Sequence, residues 1–237
     1  MSIPELFIDG EIGPDWMGGI SGASVEKELK KIGKAKEIVV RINSPGGDCF
    51  EAFAIYNALR RHGAKISVKV DSLAASAASL IAMAGDTIEM AENSMMMVHN
   101  CWCMVAGNKA DLAKTIEILD RVDQNLRATY VARTGISERE IAELLDAETW
   151  MTAGEALAFG FADSIGQPLL GTEPQIASGR YKNTPKHLLS QNGRDFRSRE
   201  LERIKTLNDA ARERNRPKTP LLDAARRKHN GRVAARI

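Results

Sequence analysis

Two side chains of this sequence have the types needed for acyl-transfer chemistry, and each accompanies a short apolar run. Ser76 lies in the stretch DSLAASAASLIAMAGD, residues 71–86, and His99 ends the run SMMMVH. A hydroxyl that attacks a carbonyl and an imidazole that takes its proton are the usual division of work in acyl transfer. The sequence therefore offers Ser76 as a candidate nucleophile and His99 as a candidate general base.

A third feature, the turn INSPGGD at residues 42–48, can supply backbone donors. Pro45 fixes one part of the turn, and the two glycines that follow let the backbone approach a ligand closely. A serine at the start of a helix lies at the positive end of the helix dipole, and the N–H of its neighbour points the same way. Such N–H groups are suited to stabilising an oxyanion.

Each feature alone also has an ordinary structural explanation. Helices rich in Ala and Ser usually serve close packing, a serine at a helix start is usually an N-cap, and a Pro-Gly-Gly turn is usually only a turn. His62, in the polar helix end RRHG, is best explained as a solvated helix terminus. What favours chemistry is that serine, histidine and turn all fall at predicted strand ends.

The elements that must position these residues alternate between strand and helix patterns. Strands are predicted in ELFIDGEIG, EIVVRINS and AKISVKVDS, and a strand–turn–strand in TIEMAENSMMMVH. Helices are predicted in SVEKELKKIG, CFEAFAIYNALRRHG, AASAASLIAMAG (beginning around residues 74–76), the long segment 107–134, SEREIAELLD and TAGEALAFG. Repeated strand–helix units predict an α/β fold with largely parallel strands, whose sites lie at the carboxyl ends of the strands.

Charge divides the chain into two parts. Residues 178–237 hold 17 Lys and Arg against six Asp and Glu, a net charge of +11, which leaves −9 for residues 1–177. The break falls within a stretch rich in Gly, Pro, Ser and Thr at residues 166–185. We therefore expect a globular domain over 1–177 and a basic tail over 178–237 that is flexible or partly helical and adds nothing to the core.

The remaining composition is that of an intracellular protein. No signal peptide or transmembrane run is seen, and three cysteines, Cys49, Cys101 and Cys103, do not suggest a disulfide framework. The alternation of His99, Cys101 and Cys103 in HNCWC raises a metal site, but zinc sites usually need four ligands at wider spacings. We expect a cytoplasmic protein with no metal and no cofactor.

Taken together, INSPGGD, AASAASLIAMAG, MMMVHN and ETWMTAGEALAFGFADSI resemble the Clp-type proteolytic subunit family of serine peptidases. The resemblance covers roughly residues 5–166, and in both cases a glycine, here Gly85, follows nine residues after the serine of Ala-Ala-Ser. It implies a Clp/crotonase-like fold of stacked strand–strand–helix units and hydrolysis of peptide bonds.

The resemblance also implies a role for each matching residue. Ser76 is implied as the nucleophile, His99 as the general base, and the N–H groups of Gly47 and Ala77 as the oxyanion hole. The third catalytic member, an Asp in the family, corresponds here to Glu148, with Asp146 as the alternative acid. The family's long helix implies a homo-oligomeric ring with the helix over residues 107–134 at an interface.

Two departures favour one branch of this family. The chain starts close to its first strand and ends in a basic tail, which is more similar to the head maturation (prohead) proteases of tailed bacteriophages, acting in the host cytoplasm. The alternatives are an ATPase-coupled subunit of general proteolysis, a crotonase-type acyl-CoA enzyme, and an interaction protein with a degenerate site. The basic tail is expected to be self-cleaved, or to bind an acidic surface such as a scaffold or capsid protein, rather than nucleic acid.

Overall fold

The computed structural model describes residues 2–167, 176, 180–189 and 206. The strands are β1 (Glu5–Asp9), β2 (Glu37–Ser44), β3 (Lys65–Ala75), β4 (Thr87–Ala91), β5 (Met95–Val98), β6 (Thr149–Thr152) and β7 (Ser164–Gly166). The helices are α1 (Gly22–Ile32), α2 (Cys49–Arg61), α3 (Ala77–Ala82), α4 (Lys109–Thr134), α5 (Glu138–Asp146) and α6 (Ala153–Ala158). Two short 3₁₀ turns cover Asp15–Met17 and Lys186–Leu188.

The sheet is parallel except at one pair of strands. Its main path runs β1-β2-β3-β4-β7, and β5 pairs with β3 on one side and with β6 on the other. Only the β5–β6 pair is antiparallel among the described strands. The long strand β3 serves two neighbours, because Ser67–Val70 pair with β4 and Leu73–Ala75 pair with β5. The predicted α/β fold with largely parallel strands is confirmed.

Side chains at the end of this sheet alternate between two apolar clusters. Ala74 on β3, with Met96 and Val98 on β5, faces the large core that α1–α6 cover. The residues between them, Leu73, Ala75 and Met97, face a smaller second cluster. Because neighbouring residues of a strand point to opposite faces, the two clusters lie on opposite sides of the β3–β5 pair.

The helix predicted to begin around residues 74–76 begins later. Ala74 and Ala75 remain in β3, where they pair with Met96 and Met97, and α3 starts at Ala77. The hydrogen-bonded ladder outweighs the high intrinsic helix propensity of alanine. The other predicted strands and helices are present, and capping boxes begin α5 at Ser137 and α6 at Thr152.

Helix α4 divides along its length. Its C-terminal half buries Val122, Leu126 and Tyr130, whereas Leu112 and Ile116, which continue the apolar stripe of Leu126 and Tyr130 at three- and four-residue steps through Leu119, are exposed. At 26 residues the helix is about 39 Å long. Only part of its apolar stripe therefore contributes to the core of the single chain.

A short C-terminal segment, residues 181–189, belongs to the body of the protein. Tyr181 and Leu188 are 7% and 3% exposed and join Ile176 in the second cluster, and Ile176 forms a β-bridge with Leu189. The expectation that everything after residue 177 adds nothing to the core is therefore wrong for Tyr181 and Leu188. The rest of the predicted tail, apart from Arg180 and Thr206, lies outside the described residues. Among the residues that the structure describes, none of the helices combines the length and the hydrophobicity of a membrane-spanning segment.

Candidate active site

Ser76 and His99 meet at the ends of two paired strands. Ala75 of β3 lies opposite Met97 of β5. Ser76 directly follows Ala75, and His99 is the second residue after Met97, so both extend from the same edge of the sheet. The Ser76 hydroxyl oxygen lies 2.7 Å from Nε2 of His99. This is the hydrogen bond that a nucleophile and its general base require.

The backbone of Ser76 is held in an unusual conformation. Its φ of 54° and ψ of −122° lie in a region that residues with a side chain rarely adopt, and its hydroxyl does not cap α3. The Ser76 N–H donates to the carbonyl of Met97 at 2.8 Å, which fixes the turn between strand and helix. Strained backbone of this kind costs about 1–3 kcal/mol and is concentrated at functional sites. An ordinary N-cap serine would show neither feature.

The Pro-Gly-Gly turn packs directly against the serine. A Cβ on Gly46 would lie 2.5 Å from the carbonyl oxygen of Ala75, and one on Gly47 would lie 1.9 Å from that of Ile12. The Ile12 N–H donates to the carbonyl of Gly46 at 3.0 Å. Because the carbonyl and N–H of a trans peptide point in opposite directions, the Gly47 N–H points away from Ile12. Both glycines are required by close approach, and Gly47 presents a donor.

A second donor comes from the first turn of α3. The Ala77 N–H belongs to the helix start, where backbone donors have no partner inside the helix. Within the part of the chain that the structure describes, no hydrogen bond uses the N–H of Gly47 or of Ala77. Below them, the buried Ser79 hydroxyl bonds to the Ser76 carbonyl at 2.6 Å and to Tyr130 at 2.9 Å. Burial raises the pKa of the Tyr130 hydroxyl, which keeps it protonated.

The two candidate third members bind elsewhere. The Glu148 carboxylate accepts the backbone N–H groups of Lys182 and Asn183 at 2.9 and 2.6 Å, and Asp146 accepts the amide of Asn100 at 2.6 Å. Neither carboxylate is hydrogen-bonded to His99. The structure thus brings Ser76 and His99 together, and the assignment of a third catalytic member stays a prediction.

Tyr181, which no sequence pattern identifies as a site residue, contacts the site directly. Its ring lies edge-on to His99, with ring centroids 5.2 Å apart and planes at 79°, and its hydroxyl donates to the carbonyl of Pro45. The signal available was a single aromatic residue in an otherwise polar stretch, RYKNTPKH. A single aromatic residue gives no repeating pattern, and therefore does not indicate a buried element.

Cys49, the first residue of α2, and Cys101 interact as free thiols and form no disulfide. The hydrogen bond with Cys101, together with burial, raises the pKa of the Cys49 thiol, and the same bond lowers the pKa of Cys101. In the described part of the chain, no group of three His, Cys, Asp or Glu side chains is arranged to hold a metal ion. His99 and Cys101 therefore do not form a metal site with other described ligands.

Comparison with known proteins agrees with this geometry. The sequence profile of a family described as Clp protease matches residues 27–168, more than half of the chain, and the match includes Ser76, His99 and Glu148. The chain belongs to the Clp protease family. Membership confirms the predicted family and fold, and it makes the chain a member of a family of proteases.

Curated members of the Clp protease family resemble the chain at modest identity. The ATP-dependent Clp protease proteolytic subunit 1 of Protochlamydia amoebophila is 31% identical over 134 residues, which are 55% of this chain and 65% of that protein. Subunit 1 of Chlamydia muridarum is 28% identical over 141 residues, 58% of this chain and 73% of that protein. Subunit 3 of Rhodococcus jostii is 29% identical over 147 residues, 61% of this chain and 73% of that protein. The match thus spans about two thirds to three quarters of each relative.

Proposed function

We propose that this Clp protease family member is a serine endopeptidase with Ser76 as its nucleophile. The observation that carries the proposal is the 2.7 Å contact between the Ser76 hydroxyl and His99 Nε2, made by a serine in strained backbone. The N–H groups of Gly47 and Ala77, which take part in no hydrogen bond among the described residues, support it. A peptide or protein is the substrate, and no metal or cofactor takes part.

In this mechanism the Ser76 oxygen attacks the scissile carbonyl carbon while His99 Nε2 takes the hydroxyl proton. The carbonyl oxygen becomes negative and accepts hydrogen bonds from Gly47 and Ala77. His99 then gives the proton to the leaving amine, which departs and leaves an ester on Ser76. Water, activated by His99 in the same way, hydrolyses that ester and restores the serine.

The test of this proposal is hydrolysis of a mixed set of quenched fluorescent peptides. We expect wild-type protein to cleave some of them and Ser76→Ala to cleave none above background. Turnover by Ser76→Ala within a few-fold of wild type would contradict the proposal, and would favour a crotonase-type enzyme that needs no serine.

We further propose a homo-oligomeric ring, with α4 at an interface between copies. The N-terminal half of α4 exposes Leu112, Ile116 and Ile118, and the preceding loop exposes Trp102 and Val105. Leu112 and Ile116, four residues apart, lie on one face of the helix, and an exposed apolar face marks an interaction surface. Light scattering should show an oligomer for the wild type and for the control Lys114→Gln, and a smaller species for Ile116→Glu. A wild-type monomer at every accessible concentration would contradict the ring.

The finer proposal is a role in phage head maturation, supported by the basic tail joined to an acidic, Clp-like body. The alternative is ATPase-coupled general proteolysis, favoured by the names of the relatives, which are ATP-dependent proteolytic subunits. Mass spectrometry of the full-length chain separates them. Loss of the basic tail from wild type, but not from Ser76→Ala, supports maturation. An intact tail, together with casein degradation only when a Clp ATPase and ATP are added, supports the alternative.

A further inference from the structure

Glu148 is held in a conformation that serves residues 182 and 183. It is a non-glycine residue with a φ of 50°, and it is 9% exposed. Its two carboxylate oxygens accept the N–H groups of Lys182 and Asn183, and the Asn183 side-chain amide donates to the carbonyl of Ala147 at 2.9 Å. A buried carboxylate must be hydrogen-bonded to be tolerated, and here backbone donors of a segment more than 30 residues away satisfy it. Glu148 thus anchors that segment.

The anchored segment places Tyr181 between the two halves of the candidate active site. The Tyr181 ring contacts His99 edge-on at 5.2 Å and Trp150 edge-on at 5.9 Å. Its hydroxyl donates to the carbonyl of Pro45, two residues before Gly47. One side chain therefore touches the imidazole of the general base and the loop that carries an oxyanion donor.

Packing in the second cluster explains why Tyr181 is buried. It does not explain why the ring contacts His99 while the hydroxyl bonds to Pro45. Leu188 fills the same second cluster, but with neither a ring nor a hydroxyl it can make neither of these contacts. An aromatic ring set edge-on to an imidazole restricts the rotation of that imidazole, and edge-on pairs are favoured over stacked ones. Small displacements of a base or an oxyanion donor reduce rates steeply, by about 100-fold for 1 Å.

We propose that Tyr181 is a positioning residue, which orients His99 and the Gly47 loop, and that Glu148 acts on the site through Tyr181 rather than by bonding to His99. This inference rests on the proposed function, because the rate it affects is that of the Ser76–His99 pair. It assigns the segment 181–183 a part in the active site, although it lies outside the profile match that ends at residue 168.

The experiment measures how fast Ser76 reacts with a fluorophosphonate, in full-length protein, for five variants. Tyr181→Ala should slow labelling about 10- to 100-fold, and Tyr181→Phe, which keeps the ring against His99 but loses the hydroxyl that bonds to Pro45, should fall between Tyr181→Ala and wild type. Glu148→Gln should slow labelling about 10-fold, and the double variant Glu148→Gln with Tyr181→Ala should be no slower than Tyr181→Ala alone, because the two residues act in series. Leu188→Ala is the matched control: it disturbs the same cluster and should label at the wild-type rate.

A second readout does not depend on activity. NMR of histidine-labelled protein, with the His99 signals assigned by their loss in His99→Gln, should show altered His99 ring shifts in Tyr181→Ala and Glu148→Gln but not in Leu188→Ala. Unchanged His99 shifts in Tyr181→Ala overturn the positioning role, and a double variant slower by the product of the single effects overturns the route through Tyr181. If wild-type Ser76 fails to react at all, the proposed function fails, while the NMR result still decides whether Tyr181 and Glu148 hold His99.

Discussion

The two faces of the β3–β5 pair are built in different ways. On the first face, α2 and α3 contribute buried residues to the large core. Each follows a strand of the sheet along the chain, α2 after β2 and α3 after β3. On the second face, Leu73, Ala75 and Met97 are covered by Ile176, Tyr181 and Leu188, about 80 to 115 residues further along the chain. The first face fixes the positions of the Ser76 hydroxyl and the His99 imidazole. The second face contacts that imidazole through the ring of Tyr181. Placement and orientation thus come from separate parts of the sequence.

The sharpest test of the first face compares two serines three residues apart. Ser76→Ala should reduce peptide hydrolysis on the order of 10⁶-fold, because nucleophile and base act as a unit. Ser79→Ala should keep most activity but lower the free energy of unfolding by about 1–3 kcal/mol, since it leaves the buried Tyr130 hydroxyl without its partner. Peptide cleavage and urea unfolding measure the two effects. A Ser79→Ala protein as inactive as Ser76→Ala, yet fully stable, would contradict the assignment of the nucleophile.

The Gly47 backbone provides the next largest effect. Gly47→Ala must move the loop, because its Cβ would lie 1.9 Å from the Ile12 carbonyl oxygen, and the displaced N–H should cost about 10²–10³-fold in kcat/KM. Gly10→Ala is the control, since Gly10 also has a positive φ, 120°, but nothing lies within 4 Å of its Cβ position. Equal losses in the two variants would mean that backbone strain, not the oxyanion donor, sets the rate.

Truncation separates the two faces directly. A chain ended after residue 178 lacks Tyr181 and should lose about 10- to 100-fold in activity while its sheet and helices stay folded. A chain ended after residue 191 keeps Tyr181 and Leu188 and should retain wild-type activity. Circular dichroism and peptide cleavage check both. Equal activity of the two shortened chains would show that the second face has no part in orientation.

The smallest expected effect concerns stability far from the site. Burial works against the charge of Asp163, but hydrogen bonds from Arg133 and from the N–H of Ile88 outweigh it and lower the pKa of the carboxyl. A lowered folded-state pKa stabilises the protein above the unfolded-state value, near pH 4, and that contribution is lost as pH falls through the folded-state pKa. Asp163→Asn should cost about 1 kcal/mol at pH 7, because the side chain is 42% exposed and partly screened.

Thermal unfolding at several pH values measures this contribution. The difference in Tm between wild type and Asp163→Asn should shrink as pH falls from 7 to about 3. A difference that stays constant over that range would show that the carboxylate charge does not stabilise the fold.

Much of the first face could be predicted from the sequence because its signals are local. Apolar runs, capping residues and Gly-rich turns identify strands and helices. Because strand ends in a parallel sheet converge, these elements predict Ser76, His99 and Gly47 at one edge of the sheet. Helix α3 begins one to three residues later than the sequence predicts, since alanine propensity cannot show that Ala74 and Ala75 pair with β5.

The second face could not be predicted for a physical reason. Tyr181 and the adjacent leucines Leu188 and Leu189 are a few apolar residues in a polar, basic stretch, and a segment without a repeating pattern gives no sign that it is buried. Glu148 was recognised by its place in the family motif, but its hydrogen-bond partners, the N–H groups of residues 182 and 183, depend on that same segment. Charge alone assigned residues 178–237 to one tail, although part of this stretch lies against the active site.

The most direct test of the central claim is to react the full-length protein with a fluorophosphonate and map the modified residue by mass spectrometry. We expect a single phosphonylated residue, Ser76, with labelling abolished in Ser76→Ala and reduced to background in His99→Ala. Modification of a different serine, or labelling of Ser76 that is unchanged in His99→Ala, would contradict the claim that these two residues form the reactive pair.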